Sequence, residues 1–293
     1  MLEISIIVPI TRISGQLKHL EGWIGDVDTR KIEVILVHDV QDEISGPELK
    51  KMLSRHPEIK LLEGRFGSAG ITRNFGLVAS KGRYVIFWDC DDDPNIEVLN
   101  RVVNLPEFGN LDVYVFQFQI WGKLGKQFIL TENWADLTLS PGIWRILISR
   151  SIIGEKFFTA LLMGEDQVFL TQLKPWQYQT HFSNEILYSY NTGNAGQATS
   201  NPKLISTLHE SLTQVLHSYQ SANPLDQIYI SNLFWRQFLT AIKRGDLNCK
   251  KQATALACKM LFPANPKAFM RNFRNLLNFI IFLKRYNKMG LIA

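Results

Sequence analysis

Three short apolar runs constrain this chain more than anything else in it. Residues 4–10, 32–37 and 84–88 are rich in β-branched and aromatic side chains and nearly free of polar ones. A run that is apolar on both sides needs cover on both faces, as the strands of a parallel sheet do. Each run also ends abruptly: at Pro9 and a polar turn, at His38-Asp39, and at Asp89. Residues 68–80 lie between the second and third runs and have a helical period, with Ile71, Phe75 and Val78 spaced for one apolar face and Gly82 just beyond the end. Strand–helix–strand alternation of this kind predicts an α/β sheet with right-handed crossovers.

Further along, residues 111–120 read as another strand, and Gly122 and Gly125 turn it into a hairpin with 127–130. Residues 143–153 mix aromatic, basic and β-branched side chains and have no clear period. Residues 166–173 read as a short helix and 185–190 as a strand, followed by a polar loop over 191–201. From Pro202 the strand runs stop, and amphipathic helices are expected at about 204–220, 224–244, 247–261 and 266–287. This shift divides the chain into an α/β domain over 1–200 and a helical region over 201–293.

With 293 residues, 46% hydrophobic and 20% charged, the chain has enough apolar surface for a real core. Its net charge of +5 suits an anionic substrate, a membrane surface or nucleic acid. The basic residues form no stripe joined to a nucleic-acid motif, which argues against the last of these. Cys90, Cys249 and Cys258 have no CxxC spacing and read as reduced thiols. The opening MLEISIIVPI has no basic start and no long apolar run, and it contains Glu3, so it reads as a core strand and not a leader. No run approaches the roughly 18 apolar residues of a membrane span. A cytoplasmic location is the expectation.

The chemistry concentrates where the third run ends, in Trp88-Asp-Cys-Asp-Asp-Asp93. Ligands of open α/β sheets bind at the carboxyl ends of strands. Four carboxylates crowded there repel one another unless a cation or solvent screens them. Mg²⁺ or Mn²⁺ takes oxygen ligands and shares them with substrate phosphates. Asp89, Asp91 and Asp92 therefore suit a diphosphate–metal site, with Asp91 and Asp92 as the metal pair. The alternative is a solvated acidic turn that caps the helix starting near Asn95.

The order of motifs resembles the family 2 glycosyltransferases with the GT-A fold. Ile6-Ile-Val-Pro9 matches their opening strand. Val34-Ile-Leu-Val-His-Asp39 matches the strand ending in an Asp that meets the nucleobase. Ile71-Thr-Arg-Asn-Phe-Gly76 matches their ARN-like helix, and Asp89-Cys-Asp91-Asp92 their DxD motif. The resemblance covers about the first 190 residues. It implies a Rossmann-like, mostly parallel sheet flanked by helices, followed by a helical C-terminal region. It further implies an inverting transferase that moves a sugar from a nucleotide-diphosphate sugar, expected to be UDP-linked, to a hydroxyl of a glycan or lipid-linked acceptor in polysaccharide biosynthesis.

By that resemblance Pro9, Thr11, Asp39, Arg73, Asp89 and Asp91 contact the nucleotide sugar. Gly164-Glu165-Asp166 matches the family's ED pair, which makes Asp166 the catalytic base and Glu165 its neighbour toward the acceptor. The residues alone also fit a helix N-terminus that favours acids through its dipole. The family's DDGS is absent after Val37; here the chain reads His38-Asp39-Val40-Gln41-Asp42, which weakens the expected base and ribose contacts. Trp88, His181 and His209 read as structural. Two other classes compete: a nucleotidyltransferase, disfavoured because 9–15 offers one Arg and one Gly in place of a glycine-rich basic loop, and a non-catalytic glycan- or membrane-binding module.

On a helix of about 100° per residue, Phe269, Phe273, Leu276, Ile280 and Leu283 share one side, and Lys267, Arg271, Arg274 and Arg285 lie roughly opposite. Such a helix suits either a membrane interface with anionic lipids or packing on the catalytic domain. Peripheral contact through 266–288 with the inner face of the cell membrane is the expectation that follows from the family's habits.

Overall fold

All seven residues of Ile4–Ile10 are buried, as a strand covered on both faces requires. In the computed structural model, which describes residues 2–11, 17–41, 43, 45–122, 125–192, 201–263 and 266–288, this run is a central strand. The strands are β1 (Ile4–Ile10), β2 (Ile32–Asp39), β3 (Lys60–Gly64), β4 (Tyr84–Phe87), β5 (Asp93–Pro94), β6 (Val113–Gly122), β7 (Gly125–Ile129), β8 (Ile146–Ser149) and β9 (Thr180–Asn191). They form one sheet in the order β3-β2-β1-β4-β8-β6-β9-β5, with β7 also paired to β6. β3, β2, β1 and β4 are parallel. β8 is antiparallel to β4 and β6, and β9 runs parallel to β6.

The helices, in chain order, are α1 (Leu17–Ile24), α2 (Ser45–Leu53), α3 (Ala69–Ala79), α4 (Ile96–Val102), α5 (Trp134–Leu139), α6 (Arg150–Ile153), α7 (Glu165–Leu173), α8 (Pro202–Ile205), α9 (Leu208–Ser221), α10 (Pro224–Arg244), α11 (Leu247–Leu261) and α12 (Pro266–Lys288). The chain divides into two compact units. The first comprises Met1–Leu130, Gly142–Ala160 and Pro175–Asn194 and holds the whole sheet. The second comprises Thr131–Pro141, Leu161–Lys174 and Ala195–Ala293, and among the described residues it is helical. Two segments from the first 200 residues thus group with the helical region.

α3 starts at Ser68, whose side chain accepts from the Ile71 amide at 3.4 Å. Its packing corrects the face expected from the sequence. Phe75 and Val78 are 45% and 73% exposed, and the buried side is Gly70, Thr72, Arg73, Gly76 and Leu77. The cause is close approach: a Cβ on Gly76 would come within 2.5 Å of the Ile7 side chain. The glycine side therefore lies on the sheet, and the larger apolar residues turn outward.

In the second unit α10 is the middle helix, against which α5, α9, α11 and α12 pack. Its buried side is unusually polar. Asp226 is fully buried and accepts from Lys174 Nζ at 2.9 Å, and Asn232 donates to Thr138 Oγ1 at 3.1 Å. α12 buries Asn272, Asn275 and Phe279. Of the residues the sequence grouped on one apolar side, Phe273 and Ile280 are 44% and 38% exposed, and Met270, Leu277 and Ile281 join them outside. Among the described residues no helix is long and apolar enough to cross a membrane. The expectations for Arg12 to Gly15, Asp42, the loop beyond Thr192 and the Arg285 side chain lie outside the described residues.

Candidate active site

The carboxyl ends of β1, β2 and β4 lie side by side, because Ile10 pairs with His38 and Ile7 with Phe87. This register brings Pro9, Thr11, Asp39 and the acidic cluster after β4 to one edge of the sheet. Pro9 is buried and Thr11 exposed. Asp39 is nearly buried, and its carboxylate accepts from the amides of Gly67 at 2.8 Å, Gln41 at 3.2 Å and Phe66 at 3.4 Å. It thereby pins the β3–α3 turn to the end of β2.

Arg73 projects from the buried side of α3, where its Nη2 donates to Asp89 Oδ1 at 2.7 Å. Its guanidinium also lies 5.6 Å from the Phe158 ring centroid. Arg73 is 6% exposed overall, whereas the Asp89 side chain is 32% exposed. Trp88 is fully buried and donates to the Trp144 carbonyl at 3.1 Å, so it belongs to the core.

The four acids have different surroundings. Asp92 is 1% exposed; its carboxylate accepts from Tyr188 Oη at 2.9 Å and from the Asn191 amide at 2.8 Å. Burial, and then the charges of Asp89 and Asp91, push its pKa up to about 9. Asp93 is half exposed and is held by His19 Nδ1 at 2.6 Å and Asn191 Nδ2 at 2.8 Å. Asp91 is partly exposed, and its carbonyl accepts from Asn191 Nδ2 at 3.1 Å. The Cys90 thiol is pushed well up by burial and then by the charges of the neighbouring acids.

This donor set suits a hard divalent cation. The Asp89 and Asp93 side chains are 32% and 50% exposed, and burial, then the charges of Asp89 and Asp91, disfavours the charged form of Asp92. Among the described residues no three His, Cys, Asp or Glu side chains converge as a preformed cage. Mg²⁺ commonly needs only one or two protein carboxylates, with substrate phosphates completing its shell.

Tyr188, Asn191 and His19 bind this cluster, and sequence reasoning missed all three. Tyr188 also accepts from the Asp89 amide at 3.0 Å. Its strand was legible, but the pairing of Asp93 with Ser189 joins residues nearly a hundred positions apart and has no local signal.

Glu165 and Asp166 belong to the second unit, at the start of α7. Gly164 precedes them at φ +82°, a backbone conformation that favours glycine. A Cβ there would meet Ser211 Oγ and Gln237 Nε2. Glu165 is 9% exposed; Asp166 is partly exposed, and its Oδ1 accepts from the Gln167 amide at 2.8 Å. His181 lies edge-on to Tyr114, and His209 Nδ1 is 3.0 Å from the Ser206 carbonyl, both ordinary structural contacts.

Residues 17–162 match the family model described as Glycosyl transferase family 2. The chain is 22% identical to the Bacillus subtilis (strain 168) glycosyltransferase EpsJ over 94% of its own length and 83% of that protein. It is 23% identical to the Escherichia coli (strain K12) glycosyltransferase YibD over 64% of its own length, and it spans 61% of the length of that relative. Among solved structures, residues 1–349 of Staphylococcus aureus TarS in complex with UDP-GlcNAc superpose with a TM-score of 0.69 at 13% identity, covering 99% of this chain and 92% of that one.

Proposed function

The chain belongs to glycosyl transferase family 2 and has the GT-A fold, and from that premise we propose that it transfers a sugar, with inversion, from a UDP-linked donor to a hydroxyl of a glycan or lipid-linked acceptor. The observation that carries this reading is the acidic cluster at the carboxyl edge of β4, with Arg73 paired to Asp89 beside it. UDP-GlcNAc, which TarS binds, is the first donor to test.

In this reading Pro9, Thr11 and Asp39 border the nucleoside, and the Arg73–Asp89 pair fixes the edge where the diphosphate lies. Asp91 and Asp92 would hold Mn²⁺ or Mg²⁺. When bound, that ion neutralises charge developing on the leaving diphosphate. Tyr188 and Asn191 hold the Asp92 carboxylate in place. Asp166 takes the proton of the acceptor hydroxyl, a weak nucleophile that needs a positioned base, and Glu165 borders the acceptor. The acceptor oxygen forms its bond to the anomeric carbon as the bond to the diphosphate breaks, and the electron pair leaves with UDP. One displacement inverts the anomeric centre.

The exposed side of α12 supports a companion reading, peripheral contact with the inner face of the cell membrane. Met270, Phe273, Leu277, Ile280 and Ile281 face outward, with Lys267, Arg274 and Lys284 exposed on the same helix. Sedimentation with phosphatidylglycerol vesicles, compared with phosphatidylcholine vesicles, tests it; equal partitioning to both defeats it.

The transferase reading is tested by thermal shift. UDP-GlcNAc or UDP with Mn²⁺ is expected to raise the melting temperature by mass action, and UDP release is then followed with acceptor present. No shift with any nucleotide or nucleotide sugar, with or without Mn²⁺, defeats the proposal.

A further inference from the structure

The acidic cluster continues sideways into a sheet face with its own chemistry. β7, β6, β9 and β5 lie next to one another, and residues paired across neighbouring strands share a face. Lys126 pairs with Trp121, and Phe128 with Gln119. Gln119 pairs with Ser189 and Trp121 with Asn191, while Asp93 pairs with Ser189. One face therefore carries Phe128 and Lys126, Gln119 and Trp121, Ser189 and Asn191, and lastly Asp93; Gln119 is buried, Ser189 and Asn191 are partly exposed, and the others are exposed. Gln119 Nε2 donates to Ser189 Oγ at 2.7 Å, which confirms the shared side. On the opposite face Phe118, Ile129 and Tyr188 are at most 3% exposed, and Ile120, Gln127 and Tyr190 are partly exposed.

Trp121 and Phe128 are 50% and 44% exposed. Single exposed apolar residues are ordinary and carry no meaning alone. Here two exposed aromatic rings on adjacent strands stand beside the partly exposed Ser189 and Asn191 and the half-exposed Asp93 carboxylate. The strand under Trp121 is firmly held, because its carbonyl accepts from both the amide and the hydroxyl of Thr192, at 2.8 and 2.9 Å. Lys126 Nζ lies 5.5 Å from the indole centroid, and a solvated lysine gives up such a position easily.

A pyranose ring has an apolar face of C–H groups and a rim of hydroxyls. It is matched by an aromatic ring with one apolar surface and polar neighbours within reach. A protein partner would favour a continuous apolar centre, whereas this face alternates rings with polar groups. From Phe128 to Asp93 it crosses three strand spacings, about 14 Å, which is room for a short oligosaccharide.

We propose that this face, centred on Trp121 and Phe128, binds the sugar residues of the acceptor that follow the one receiving the transferred sugar. The proposal rests on the transferase reading above for the identity of its ligand, a glycan acceptor. Asn191 ties the two regions together, since its side chain donates to Asp93 and to the Asp91 carbonyl.

Saturation-transfer NMR on the full chain with maltotetraose, cellotetraose, chitotetraose and a galactan tetrasaccharide tests it. The wild type is expected to bind at least one of the four. Trp121→Ala should weaken that binding tenfold or more, Trp121→Phe should recover most of it, and Phe128→Ala should weaken it several-fold. The loss should fall on the glycan and not on the thermal shift given by UDP. If Trp121→Ala also loses the UDP shift, Phe128→Ala decides. Binding of none of the four sugars, or unchanged binding by both alanine variants, overturns the proposal. A wild type that binds a tetrasaccharide but no nucleotide sinks the transferase reading and leaves the glycan face standing.

Discussion

Two acidic regions of this chain look alike in the sequence and differ in how they are built. In the cluster after β4, Asp92 is buried, Tyr188 and Asn191 grip its carboxylate, and burial, then the charges of Asp89 and Asp91, push its pKa up to about 9. Glu165 and Asp166 instead open a helix whose dipole favours negative charge, and the described bond of the Asp166 carboxylate is to the next amide. The first arrangement buries one carboxylate beside two others, and a bound cation would favour its charged form. The second presents a partly exposed carboxylate just after a glycine turn, at the start of a helix. This difference is what the proposed roles rest on: a cation site for the first region and a base for the second.

The largest effect should come from removing the charge that the first region exists to hold. Asp91→Asn is expected to lower kcat/KM for sugar transfer about a thousandfold, roughly 4 kcal/mol of transition-state stabilisation. EDTA on the wild type should act in the same direction, reversibly on adding Mn²⁺. Steady-state UDP release measures both. Full activity in EDTA and in Asp91→Asn would dissolve the contrast between the regions.

Asp166→Asn comes next. Loss of a general base typically costs on the order of a hundredfold or more, and here it should fall on kcat while UDP binding with Mn²⁺ persists. A variant that lost nucleotide binding and kept turnover per bound donor would reverse the assignment of the two regions.

The turn that presents Asp166 can be probed by stability alone. Gly164→Ala places a Cβ on a backbone at φ +82° and against Ser211 and Gln237, and should cost about 2 kcal/mol. Urea unfolding reads this out. No loss would mean that the turn relaxes freely and does not fix the carboxylate.

How far the sequence foretold these regions follows from the range of the forces involved. β1, β2, β4, α10 and α11 were legible because burial on two faces, or an amphipathic period closed by caps such as Asn223 and Asp246, is written within ten to twenty neighbours. α1 and α2 are amphipathic but only eight and nine residues long, and β3 has no buried residue and owes its place to pairing with β2. The apolar face of α3 was misread because Gly76 allows close approach to Ile7, a tertiary fact that outweighs periodicity. At the site, Asp39, Arg73 and the acids were visible as residue types in order. Tyr188, Asn191 and His19 were not, because their roles come from strand and helix contacts across 70 to 100 positions. The exposed side of α12 was half legible: the apolar residues were evident, but the buried Asn272 and Asn275 turn a different side inward.

The gentlest way to sharpen the contrast is to titrate it. Without metal, Asp92 keeps its proton in the folded protein up to about pH 9, while in the unfolded chain it ionises near its ordinary value of 3.8. Between those values the folded state binds the extra proton, so the contribution of Asp92 to stability is complete below about pH 4 and is lost as pH rises toward 9. One such group sets a slope of at most about 1.4 kcal/mol per pH unit. Urea midpoints in EDTA should therefore fall from pH 5 to pH 9 by more in the wild type than in Asp92→Asn, whose neutral amide removes the titration. Mn²⁺ should flatten the wild-type slope, because the cation replaces the proton as the partner of the crowded acids. Glu165→Gln and Asp166→Asn should leave that slope in place, since neither residue contributes to the charge that raises Asp92. If Asp92→Asn matched the wild type across this range, burial and the neighbouring charges would not disfavour the charged form of Asp92, and the cluster would differ from the start of α7 in position only.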